Sequence, residues 1–86
     1  INGVDISDED FCDLIDRIRP VAEKLDKEGY HVTYFEFMTA MVFIYFYEKN
    51  VDVAIIEVGL GGRLDSTNII KSPLLSVITS ISMLYL

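Results

Sequence analysis

The chain has 86 residues, enough for one small domain, and proteins near this size bury only about 60% of the surface that their unfolded chain exposes. Fourteen acidic against seven basic residues leave a net charge of −7, which excludes the clustered Lys and Arg that a nucleic-acid partner needs. A hydrophobic content of 51%, with five Tyr and five Phe, excludes intrinsic disorder, and a single Cys12 beside a single His31 excludes an internal disulfide and a Cys/His zinc site.

The opening residues, Ile1-Asn2-Gly3-Val4-Asp5, carry neither an initiator Met nor the charged and apolar regions of a signal peptide, so the chain reads as if cut from something longer. Apolar residues Phe11, Leu14, Ile15, Ile18, Val21, Ala22 and Leu25 then recur every three or four positions, the stripe of an amphipathic helix. Ser7 is its expected N-cap, Asp8, Glu9 and Asp10 suit the positive helix end, and Ile6 with Phe11 fits a hydrophobic staple. Lys24, Lys27 and Gly29 mark the other end, and Pro20 predicts a kink inside it. Nine of the fourteen acidic residues fall within residues 1–29, which makes the charge excess a solvated helix face. Cys12 lies in this pattern with no neighbouring base and reads as a passive thiol in a reducing compartment, the cytoplasm.

Thr33 to Tyr47 is apolar almost all round, the pattern of a helix covered on several faces. A membrane span needs about 20 apolar residues, and Glu36 interrupts this shorter stretch near its start, so no membrane partner is expected. Val51 to Val58 reads Val-Asp-Val-Ala-Ile-Ile-Glu-Val, a β-branched run that fits a buried parallel strand, and Leu74 to Ile81 reads as a second one after Pro73. The order helix, helix, strand, loop, strand describes an α/β fold, part of a parallel-sheet layered domain, with residues 1–86 as a single partial domain free of repeats and linkers. Two strands make no stable sheet, so the remaining strands would come from outside these residues or from another copy.

Chemistry concentrates at two places. Glu57, penultimate in the apolar run, is followed at once by Gly59-Leu60-Gly61-Gly62-Arg63-Leu64-Asp65, and open α/β sheets bind ligands beyond the carboxyl ends of their strands. A carboxylate buried there needs either a hard cation such as Mg²⁺ or an ion pair with Arg63 or a partner from elsewhere, and the residues alone favour neither. The glycines match neither a dinucleotide fingerprint, whose third glycine would fall at Leu64, nor a Walker A loop, which needs Lys. They allow close backbone approach, with Arg63 as a donor fork and Asp65 as an acceptor for a polar substrate, or they form a plain tight turn. The second place, Thr33-Tyr34-Phe35-Glu36, has the spacing of a helix capping box.

The stretch Glu57-Val58-Gly59-Leu60-Gly61-Gly62-Arg63-Leu64-Asp65-Ser66-Thr67-Asn68 resembles the signature of folylpolyglutamate and dihydrofolate synthases, members of the Mur ligase superfamily. Thr33-Tyr34-Phe35-Glu36-Phe37 resembles the family's second motif at the family's separation, and Ile1-Asn2-Gly3 resembles the segment after its nucleotide loop, so the likeness spans residues 1 to about 81. The resemblance implies the central ATPase domain of an enzyme that phosphorylates a carboxylate of dihydropteroate or folate with ATP. The amine of glutamate then attacks the acyl phosphate, with Mg²⁺ screening the phosphates. Carried over by position, Glu57 would be a magnesium ligand, while Thr33, Tyr34, Phe35, Glu36, Leu64, Asp65 and Ser66 would line the pterin pocket, Phe35 being suited to stacking on a flat ring.

The sequence departs from the family pattern in three respects. Ser66 stands where Ala is common, the Gly-Lys-Gly-Ser phosphate loop is absent from these residues, and Leu84 and Tyr85 stand where the family has an Asp-His pair whose histidine is a second magnesium ligand. A phenol stays protonated near neutral pH and is a poor Mg²⁺ ligand. The isolated chain is therefore expected to be inactive. An alternative of a different class is a non-catalytic, self-associating module in which the glycine loop is only a turn, and either reading expects homo-oligomers.

Overall fold

The Ser7 hydroxyl accepts a hydrogen bond from the Asp10 amide at 3.1 Å and opens helix α1, Asp8–Lys27. In the computed structural model, which describes residues 1–82, α1 continues through Pro20 as one helix. It stops where Gly29 turns left-handed at φ +91°, with the Tyr30 amide donating to Leu25 O at 2.9 Å and the Gly29 amide to Asp26 O at 3.1 Å. That is a Schellman end, and glycine adopts the required φ without a Cβ clash. Thr33 then caps α2, Tyr34–Glu48, through a complete capping box: its hydroxyl accepts from the Glu36 amide at 3.2 Å, and the Glu36 carboxylate accepts from the Thr33 amide at 2.8 Å. Asn50, at φ +56°, closes α2 by the same device, the Asn50 and Val51 amides donating to Tyr47 O and Phe46 O.

The short connection folds α2 back along α1. Leu14, only 2% exposed, packs with Ile18 and Met41 as the buried core, and Ile6, Phe11, Ile15, Phe37 and Met38 close around them. At the open end of the hairpin Arg17 grips both carboxylate oxygens of Glu48, at 2.9 and 2.5 Å, and Lys49 reaches Asp10 at 3.0 Å. The Arg17 hydrogen bonds hold the Glu48 carboxyl below the usual carboxylate range, and the bond to Asp10 raises the Lys49 ammonium above its ordinary value. Such exposed pairs add little stability. No helix among the described residues is long and apolar enough to cross a membrane.

The α/β expectation is overturned. Among the described residues there are two helices and no strand, so the order helix, helix, strand, loop, strand does not occur. Residues 51–58 and 74–81 have strand-like composition, but a strand exists only when a neighbouring backbone completes its hydrogen bonds, and these two segments do not pair with each other. Nor are they buried: Leu74 is 94% exposed and Ile55 93%. The chain accordingly presents 7952 Å² to solvent, against about 5,200 Å² for a compact protein of this mass. The expectations attached to Leu84 and Tyr85 lie outside the described residues.

Candidate functional site

After α2 the chain runs through Glu57 into a loop, residues 59–68, that organises itself around one carboxylate. Gly61 takes φ +70°, a left-handed value that suits glycine, and the turn closes as the Asp65 amide donates to Gly62 O at 3.1 Å and the Asn68 amide to Asp65 O at 3.0 Å. The Asn68 side chain adds a bond from Nδ2 to Arg63 O at 3.0 Å. Within this turn the Asp65 Oδ2 accepts from the Thr67 hydroxyl at 2.6 Å and from the Thr67 amide at 3.0 Å, while Oδ1 accepts from the Leu60 amide at 3.0 Å. These donors, the Thr67 hydroxyl first, hold the Asp65 carboxyl below its ordinary value.

The loop packs on the first turn of α2. A Cβ on Gly59 would lie 2.7 Å from Cζ of Phe35 and 3.2 Å from Oδ1 of Asp65, so the absence of a side chain at 59 makes room for the ring. One turn further along α2, the buried Thr39 hydroxyl donates to Phe35 O at 2.7 Å and shares a 3.2 Å hydrogen bond with the Ser66 hydroxyl. Phe35, Thr39, Phe43, Glu57 and Thr67 line a cavity of about 210 Å³ between helix and loop.

The residues singled out from the sequence fall into three groups. Phe35, Asp65 and Ser66 come together at the helix–loop contact, with Glu57 on the wall of the same cavity. Thr33 and Glu36 are engaged in the capping box, Thr33 through its hydroxyl oxygen and Glu36 through one carboxylate oxygen. Tyr34 and Leu64 point into solvent, the latter 92% exposed, and Arg63 is also exposed. One local reading needs correction, since Glu57 is exposed where burial was expected; of the alternatives left open for it, the ion pair with Arg63 does not form among the described residues. Asp65 accepts three hydrogen bonds from its own loop, one on Oδ1 and two on Oδ2.

For a magnesium ion the fit is partial. Among the described residues no three His, Cys, Asp or Glu side chains cluster. Glu57, an exposed residue on the wall of the cavity, could supply one ligand, and Mg²⁺ commonly takes only one or two carboxylates with water and phosphate oxygens completing its shell. Sequence reasoning missed Thr39 and the role of Thr67. The second was signalled by the Asp-x-Thr spacing, in which an Asp side chain binds the backbone two residues on.

Comparison with known proteins finds strong similarity to enzymes of one kind. The chain is 52% identical over 83 residues to a dihydrofolate synthase/folylpolyglutamate synthase of Bacillus subtilis, an alignment covering 94% of the chain and 19% of that protein. It is 41% identical over 80 residues to a folylpolyglutamate synthase of Lacticaseibacillus casei, covering 91% and 18%, and 40% identical over 84 residues to one of Arabidopsis thaliana, covering 96% and 13%. The chain thus spans less than a fifth of the length of these curated relatives. No family model and no solved structure matches it.

Proposed function

By sequence the chain belongs to the folylpolyglutamate synthase and dihydrofolate synthase family, and we propose that its residues form one wall of the pteroate or folate pocket in an ATP-dependent ligase of that family. In the reaction, the substrate carboxylate takes the γ-phosphoryl of ATP to become an acyl phosphate, and ADP leaves with the electrons of the broken P–O bond. The glutamate amine attacks the acyl carbon, phosphate leaves with the electrons of the broken C–O bond, and the ammonium proton passes to solvent. Catalysis of this kind is mostly positioning and charge stabilisation.

The single observation that supports this reading is the contact between the Phe35 ring and Gly59, which joins two motifs separated by more than a full helix in sequence. Phe35 is 43% exposed, so part of the ring remains available for stacking on a flat bicyclic substrate. Glu57 lies on the wall of the neighbouring cavity and would hold one position of a Mg²⁺ ion, which when bound screens the phosphate charge. Thr33 and Glu36 act by fixing the first turn of α2, and hence Phe35. Tyr34, Arg63, Leu64 and Ser66 line the rim, with Arg63 as the cation facing an anionic substrate. The lone, exposed Cys12 suits a reducing compartment such as the cytoplasm.

Residues 1–86 by themselves are proposed to be inactive, because no Lys-bearing phosphate loop lies among them. The experiment is therefore a chimaera: the Bacillus subtilis relative carrying residues 1–81 of this chain in place of the stretch aligned with them, and keeping its own residues after that point, assayed for ATP-dependent attachment of labelled glutamate to dihydropteroate and to folate. Turnover within about tenfold of the parent is the expected result, a barrier change of about 1.4 kcal/mol. A folded, ATP-binding chimaera that joins glutamate to neither acceptor would refute the proposal.

A further inference from the structure

We propose that Thr67 is a positioning residue for the substrate pocket, holding Asp65 so that Asp65 in turn holds the glycine loop against the ring of Phe35. The inference deepens the pteroate-pocket reading above and rests on it. Thr67 is only 7% exposed, and it is one of two buried polar residues among the described ones. Its hydroxyl donates to Asp65 Oδ2 at 2.6 Å, the shortest hydrogen bond of the loop, and its amide donates to the same oxygen. The other Asp65 oxygen takes the Leu60 amide and lies 3.2 Å from where a Gly59 Cβ would stand.

The chain of contacts is continuous. Thr67 orients the carboxylate, the carboxylate pins the backbone at Leu60, and the adjacent Gly59 backbone meets the Phe35 ring. Three donors on the Asp65 carboxylate fix its orientation. That orientation supports the loop behind the aromatic face. Thr67 also lines the 210 Å³ cavity that Phe35 and Glu57 share, so a shift of its side chain changes the pocket wall directly. The low carboxyl pKa of Asp65 agrees with this arrangement, because every donor favours the ionised form.

Valine matches threonine in shape but lacks the hydroxyl, whereas serine keeps it. In the chimaera, Thr67→Val is expected to raise KM for the pteroate substrate by about tenfold, the scale of one lost hydrogen bond to a charged group. KM for ATP and for glutamate should stay where they were, and Thr67→Ser should restore most of the loss. Hydrogen exchange followed by mass spectrometry should show the peptide over residues 58–68 opening faster in Thr67→Val only, with α1 and α2 unchanged. If Thr67→Val does not fold, Asp65→Asn, which keeps one acceptor oxygen and loses the other, carries the same expectation.

The proposal is overturned if all three KM values rise together, if Thr67→Ser is as impaired as Thr67→Val, or if the loop opens without any change in pteroate KM. An unsubstituted chimaera that binds no pteroate at all would refute the pocket itself, and the positioning role with it. That result is distinct from normal pteroate binding that ignores position 67, which refutes the positioning role alone.

Discussion

The ring of Phe35 occupies the space that a side chain on Gly59 would fill, with Cζ and Cε1 lying 2.7 and 2.9 Å from the ideal Cβ position. The two residues belong to different motifs, one at the start of α2 and one at the start of the loop that Asp65 closes. Gly59 does not have a left-handed φ, so a side chain there would act by displacing the ring and not by straining the backbone.

Gly59→Ala should therefore act through Phe35. Overpacking of this kind typically costs about 1–3 kcal/mol, which thermal melting of the chimaera would register as a lower midpoint. Because the contact is pairwise, Phe35→Ala in the same chain should remove much of the added cost, and a double-mutant cycle reads the coupling. Additive effects of the two substitutions would show that the ring and the glycine do not meet.

Glu57 is exposed and makes no ion pair among the described residues, so its carboxylate does little for stability. A metal role predicts that Glu57→Gln in the chimaera lowers turnover about a hundredfold, roughly 3 kcal/mol in the barrier, and raises the Mg²⁺ concentration needed for half-maximal rate. The melting temperature should hardly move. Intact turnover and magnesium dependence would remove Glu57 from the metal site.

The acid limb of the stability profile should report on Asp65 and Glu48. Both carboxyls titrate below their ordinary values, Asp65 through the Thr67 and Leu60 donors and Glu48 through Arg17. A depressed carboxyl pKa contributes stability that is fully present above the unfolded value, about 4, and is lost as the pH falls through the folded value. Stability measured by denaturant titration should be flat from about pH 5 to 8 and decline below about 4, and Asp65→Asn with Glu48→Gln should flatten that decline. Lys49 has the opposite sign: its raised pKa contributes stability that is present at neutral pH and lost only as the pH rises beyond its folded value.

The 86-residue polypeptide by itself should self-associate. Val53, Ile55, Leu74, Leu75, Ile78 and Ile81 all lie open to solvent, a larger apolar surface than monomers usually tolerate. Light scattering at micromolar concentration should give a mass above that of one chain, and a soluble monomer over the same range would count against this.

The helices were legible because their signals are local. Ser7, Thr33 with Glu36, and Gly29 each specify a helix end through bonds to their own neighbours, and the structure forms all of them. The strands were misread because Val51–Val58 and Leu74–Ile81 carry only a preference for extended backbone, and the ladder that makes a strand depends on a partner the pattern cannot name. At the site, the signature residues pointed to Phe35 and Asp65 but not to their arrangement. Asp65 looked like an available acceptor because its donors, Leu60 five residues before and Thr67 two after, meet it only when the loop closes. Thr39 carried no signal, since its bond to Ser66 spans 27 residues.

The most direct measurement of the central claim, that the first turn of α2 and the glycine loop together form a pteroate or folate pocket, is the dissociation constant of the chimaera for dihydropteroate or folate with and without Phe35→Ala. Loss of an aromatic face from a bound flat ring should weaken binding by about tenfold or more, with ATP affinity and melting temperature preserved. Equal affinity of the two proteins for the pteroate, or a loss of pteroate and ATP binding together, would contradict it.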